Sequence, residues 1–133
     1  MVCRGRREKN VEDLAVEDND LFREAFKKRL SEDFSTVEVE EAANGDEALK
    51  KIGGAPPHLI FMDIRLPGLN GLQLTQKVKK DFPGIKVAVL TSYDLPEYRQ
   101  AATQYGADRF FVKSSFKWDE VETLIESITP GVS

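Results

Sequence analysis

The chain has 133 residues, 41% of them hydrophobic and 32% charged, with a formal net charge of −4. That length suits one domain whose core needs no covalent staples, and the balance excludes both a disordered chain and one built of membrane spans. Its single cysteine, Cys3, excludes an internal disulfide and agrees with a reducing compartment.

The first ten residues carry Arg4, Arg6, Arg7 and Lys9 against Glu8, so the remaining chain sums to −7. An acidic body is poorly suited to neutralising nucleic-acid phosphates. The decapeptide also lacks the apolar stretch of an export signal. The expectation is a cytoplasmic protein with a flexible basic tail over residues 1–10, no membrane contact and no direct nucleic-acid binding.

Taken in order, Leu14-Ala15-Val16 is a short apolar run and predicts a buried strand. Phe22, Ala25, Phe26 and Leu30 then recur at helical spacing. Val37 and Val39 alternate with Glu38 and Glu40, which predicts an edge strand with one wet face. Asn44-Gly45-Asp46 opens a short helix around residues 48–52, stopped by Gly53-Gly54 and Pro56-Pro57. A second fully apolar run, Leu59-Ile60-Phe61-Met62, is followed by a helix marked by Leu74, Val78 and Phe82 and ended by Pro83-Gly84. Val87-Ala88-Val89-Leu90 leads to a helix carrying Leu95, Tyr98, Ala102 and Tyr105. Phe110-Phe111-Val112 precedes a last helix with Val121, Leu124, Ile125 and Ile128.

Five strands thus alternate with five helices over residues 11–129, leaving 130–133 as a C-terminal tail. Five units are too few for an eight-stranded barrel, so the expected fold is α/β, a doubly wound five-stranded parallel sheet in a three-layer α-β-α sandwich. In such sheets ligands bind beyond the carboxyl ends of the strands, where strand order reverses. The runs end there in Glu17-Asp18, Asp63, Thr91-Ser92 and Lys113. Clustered carboxylates repel one another unless a cation shares the site. Hard oxygen ligands at this density suit Mg²⁺ or Mn²⁺ together with phosphate oxygens.

The segments LAVEDND, LIFMDIRLPGLNG, VAVLTS and FFVKSS, in this order and spacing, resemble the receiver domains of two-component response regulators. The Asp63 to Gly71 block is similar to that family's D-x-x-x-P-G-x-x-G motif. The resemblance implies strand order 2-1-3-4-5 and makes Asp63 the acceptor of a phosphoryl group from a sensor histidine kinase or phosphotransfer protein. It implies a metal held by Asp18, Glu17, Asp63 and the backbone carbonyl of Arg65. Thr91 and Lys113 would bind phosphoryl oxygens, and Phe110 would repack the surface of helix four, strand five and helix five. Arg65 and Tyr93 occupy positions that tune how readily water attacks the acyl phosphate. A bulky Tyr93 and a long Arg65 are expected to shield it.

Receivers commonly carry proline after the lysine, often with a cis bond, whereas this chain reads Lys113-Ser114-Ser115. That leaves the geometry of the bond open. The K-S-S form resembles receivers joined to helix-turn-helix output domains, so the downstream element is either a partner protein or a DNA-binding domain beyond these residues. Homodimerisation through helix four, strand five and helix five is compatible with the family and required by nothing in the sequence.

A phosphohydrolase with an Asp nucleophile would need a second aspartate two residues on, and Arg65 stands there. A receiver-like interaction module that no longer accepts phosphate would lack an acidic or lysine position, and all are present. His58, the lone histidine, reads as a residue at a strand start and not as a phosphodonor. No enzyme activity is expected beyond the domain's own phosphorylation and dephosphorylation.

Overall fold

The computed structural model describes residues 11–128, so the expected tails over 1–10 and 130–133 lie outside the described residues. Strands β1 (Val11–Val16), β2 (Val37–Ala42), β3 (Leu59–Met62), β4 (Lys86–Thr91) and β5 (Arg109–Val112) form one parallel sheet in the order β2-β1-β3-β4-β5. Each is followed by a helix: α1 (Asp20–Asp33), α2 (Gly45–Gly54), α3 (Gly71–Asp81), α4 (Pro96–Gln104) and α5 (Trp118–Ile128).

Burial follows the sequence pattern. β3 is buried at every position and β4 at all but Lys86, as strands covered on both faces must be, while Glu38 and Glu40 of edge strand β2 face water. On one face Phe26 and Leu30 of α1 and Val121, Leu124 and Ile125 of α5 pack on Val11, Ala15, Leu59 and Phe61. On the other, Ala48 and Ile52 of α2 and Leu74 and Val78 of α3 pack on Leu14, Val16, Ile60, Met62 and Val87. Ala102 of α4 joins Val89 and Ile64 in a smaller cluster.

Three helices start on asparagine caps: the side chains of Asn19, Asn44 and Asn70 accept from the backbone N–H of Phe22, Glu47 and Gln73. The caps fix where each helix begins, directly after the short loops 17–19 and 43–44 and after the longer loop 63–70.

Several expectations shift at the boundaries. Gly53 and Gly54 do not stop α2 but form its last turn. The break falls at Ala55, whose extended backbone (φ −153°) is what a following proline imposes. Ala25 is exposed, so the buried face of α1 narrows to Phe26 and Leu30, with Phe22 half-buried. Leu95 is the N-cap of α4 and 40% exposed, and Tyr105 lies just past its end, because Pro96 at the first turn sets where that helix begins.

Candidate functional site

β1 and β3 are adjacent and aligned so that Val16 pairs with Met62. The next residues, Glu17 and Asp63, therefore leave the sheet side by side at the point where strand order reverses. Carboxylate oxygens of Glu17, Asp18 and Asp63 lie within 4.8 Å of one another. Glu17 and Asp63 are buried, at 5% and 6% exposure, whereas Asp18 is open to water.

Lys113 enters from the end of β5, its backbone N–H donating to the Thr91 carbonyl at 2.8 Å. Its ammonium sits 2.5 Å from Glu17 Oε1 and 3.6 Å from Asp63 Oδ2. In this state Glu17 is the closer partner. The Glu17 carboxylate also accepts the Asn19 N–H at 3.0 Å, and its backbone carbonyl accepts from Arg23 at 2.6 Å. Burial pushes the Glu17 carboxyl above its ordinary value, and the negative charge of Asp63 adds to this. The hydrogen bonds from Lys113 and Asn19 pull it back without cancelling the rise.

Asp63 Oδ1 accepts the N–H of Ile64 at 2.8 Å, which turns Oδ2 toward Lys113. The loop after it closes on itself, the Gly71 N–H donating to the Ile64 carbonyl at 2.9 Å. A Cβ on Gly71 would fall 1.9 Å from the Asp63 carbonyl oxygen, so only glycine fits. Gly68 takes the left-handed region at φ +78° in the same loop.

Thr91, the last residue of β4, is fully buried, and its hydroxyl accepts the Tyr93 N–H at 3.3 Å. The Arg65 guanidinium lies 4.8 Å from the centre of the Tyr93 ring, a cation–π contact joining the β3–α3 and β4–α4 loops. Phe110 stands apart from the carboxylates, half-buried in the cluster that holds Ile64 and Ala102, with the Arg99 guanidinium 4.7 Å above its ring. Among the described residues every peptide bond is trans, including that between Lys113 and Ser114.

Sequence reasoning overlooked Asn19, Arg23 and Phe22 as supports of the site. The Phe22 ring lies 4.4 Å beneath the Lys113 ammonium and, with Glu17, fixes its position. The signal for Asn19 was available, since an asparagine three residues before the apolar-periodic stretch that starts at Phe22 marks a helix cap. Nothing local in the sequence assigns Arg23 or Phe22 to the site, because their partners come from other segments.

The donor set fits a hard divalent cation: three carboxylates converge against one ammonium, so negative charge remains uncompensated.

A doubly wound sheet with acids and a lysine at its switch point is an architecture that phosphoryl-accepting signalling domains share with other α/β proteins. Residues 14–126 match the family described as response regulator receiver domain, and the chain belongs to that family. It is 34% identical over 113 residues to the response regulator protein VraR of Staphylococcus saprophyticus, a match covering 84% of this chain and 53% of that protein. The chain thus spans about half the length of the curated relatives it matches. Among solved structures, the receiver domain of the putative response regulator NarL from Mycobacterium tuberculosis superposes with a TM-score of 0.82 at 28% identity, over 92% of this chain and 99% of that one. The response regulator TrrA of Thermotoga maritima, solved in complex with Mg²⁺-BeF, gives 0.77 at 33% identity, over 89% and 98%.

Proposed function

We propose that Asp63 accepts a phosphoryl group from the phosphohistidine of a sensor kinase or phosphotransfer protein, with Mg²⁺ or Mn²⁺ bound by Glu17, Asp18, Asp63 and the Arg65 carbonyl. The observation that carries this reading is the convergence of Glu17, Asp18, Asp63 and Lys113 on one sheet edge. An Asp63 carboxylate oxygen forms the new bond to phosphorus as the phosphorus–nitrogen bond breaks, and the imidazole leaves with that electron pair and takes up a proton. Both reactants are anionic, so the work of the site is charge neutralisation and in-line placement. The bound cation would supply positive charge to the transferring oxygens.

Lys113 supplies the rest, moving from Glu17 toward the new phosphoryl oxygens, and the Thr91 hydroxyl gives up its Tyr93 contact to donate to one of them. That displacement pulls the β4–α4 loop inward and reaches Phe110 and the surface of α4, β5 and α5. The signal passes from that surface to a partner protein or to an output domain that controls transcription. Among the described residues no helix is long and apolar enough to cross a membrane, in keeping with action in the cytoplasm.

Incubation with Mg²⁺ and beryllofluoride or acetyl phosphate is expected to give an adduct on Asp63, read by mass spectrometry of the intact chain and by ¹⁹F resonances. Asp63→Asn is expected to give none. Failure of wild type with these reagents and with a phosphorylated kinase would leave a phosphorylation-independent interaction module as the function.

The Arg65–Tyr93 contact roofs the acyl phosphate. An exposed cation–π pair contributes about 0.5–1 kcal/mol, or about two- to fivefold in a rate it gates. Tyr93→Ala is expected to speed phosphate release by that factor, measured as loss of label from phosphorylated protein. Unchanged release would remove the shielding role.

A further inference from the structure

β1 carries another acid that phosphoryl transfer does not use. Asp13, four residues before Glu17, is 1% exposed, and among the described residues neither carboxylate oxygen has a hydrogen-bond partner. Alternation along the strand turns it to the same face as Val11 and Ala15, into the layer between the sheet and α1 and α5. Val39 of β2 and Leu59 of β3 flank it in register.

Among the described residues, the groups that face it offer no counter-charge. On this face β2 presents Val37 and Val39, then Glu41, which is held by Arg23 and Lys27 of α1. β3 presents Leu59 and Phe61, then Asp63, which faces Lys113. α1 contributes Phe26 and Leu30, and α5 contributes Val121, Leu124 and Ile125, while Asp119, Glu120, Glu122 and Glu126 face water. The His58 ring, at the exposed start of β3, accepts the Glu12 N–H. An ionised carboxylate in this apolar layer would have neither water nor a cation.

We propose that Asp13 is a proton latch: α1 and α5 close fully on β1 only while this carboxyl is protonated, and its ionisation loosens that layer. The latch reaches the phosphoryl site through α1, whose Arg23 holds the Glu17 carbonyl. Burial raises the Asp13 pKa from 3.8 to about 8. The folded state therefore binds the extra proton, so the contribution is fully present below 3.8, declines as pH rises through that interval and is lost above about 8. One linked proton changes the folding constant about tenfold per pH unit, about 1.4 kcal/mol.

Urea unfolding of the full chain from pH 5 to 9 is expected to show this tenfold dependence in wild type up to about pH 8 and to flatten above it, in excess of Asp13→Val and Asp13→Asn. The asparagine variant keeps shape and polarity without titrating, so it separates ionisation from apolar packing, and subtraction removes the contribution of Glu17. At pH 8, hydrogen exchange of α1 and α5 amides is expected to be faster in wild type than in Asp13→Val, and by a larger factor than the global change read at β4 amides. Equal pH slopes in wild type and both variants would overturn the proposal. So would a slope difference without faster exchange in α1 and α5, or a ¹³C titration placing the Asp13 carboxyl near 4.

Discussion

Gly71→Ala is expected to destabilise the domain by about 3 kcal/mol and to abolish beryllofluoride binding at Asp63. Forcing extra atoms into a packed site costs about 1–3 kcal/mol, and this site is at the severe end. The new Cβ would sit 1.9 Å from the Asp63 carbonyl oxygen and 2.8 Å from its carbonyl carbon, both backbone atoms that no rotamer change can move. Relief requires the loop to open, which breaks the Gly71 to Ile64 hydrogen bond and turns Asp63 away from Lys113. Gly54→Ala is the control. Nothing lies within 4 Å of a Cβ there, and its helical position predicts a gain of about 0.5–1 kcal/mol. Urea midpoints for the two variants, with beryllofluoride titrations, test both; a Gly71→Ala protein as stable as wild type and still able to bind would contradict the steric argument.

Lys113→Met is expected to cost about 3 kcal/mol without divalent cation, and to make stability depend more steeply on Mg²⁺ than in wild type. The ammonium serves two carboxylates of 6% and 8% side-chain exposure. Removing one member of a buried ion pair costs about 3–5 kcal/mol because the partner's charge stays behind. Here Glu17 and Asp63 would face each other with only Asn19 and Ile64 amides to satisfy them. A divalent cation replaces the missing charge, so its stabilisation should grow by mass action. Melting curves over a Mg²⁺ series measure this. A double variant with Glu17→Gln should recover part of the loss, since the coupled partner is then neutral. Parallel Mg²⁺ curves for wild type and Lys113→Met would show that the lysine does not offset the acids.

The convergence of Glu17, Asp63, Thr91 and Lys113 was legible in the sequence to an unusual extent because parallel strands bring their carboxyl ends to one edge whatever their side chains do. Once Leu59-Ile60-Phe61-Met62 is read as a strand, Asp63 must stand at that edge, and so must Glu17, Thr91 and Lys113. The edge position of β2 was likewise written in the alternation of Val37 and Val39 with two glutamates. Boundaries were harder. Gly53 and Gly54 have helix-breaking character, yet the packing of Ala48 and Ile52 carries α2 through them until Pro56 forces Ala55 to extend.

Pairings between loops were not legible at all. That Lys113 lies nearer Glu17 than Asp63, that Phe22 floors the lysine, and that Arg65 covers Tyr93 each depend on side-chain positions from separate segments. Asp13 marks the limit most clearly. In the sequence it stands between Glu12 and Leu14 as an ordinary charge before an apolar run. The sequence by itself determined that Glu17, Asp63, Thr91 and Lys113 stand at the ends of apolar runs, because backbone periodicity is a local rule. Only the tertiary structure decided that Asp13 is sealed between Val39, Leu59 and the α1 and α5 helices. At a charged position burial is set by what packs above the strand, and the apolar pattern that marks the rest of the core does not reveal it there.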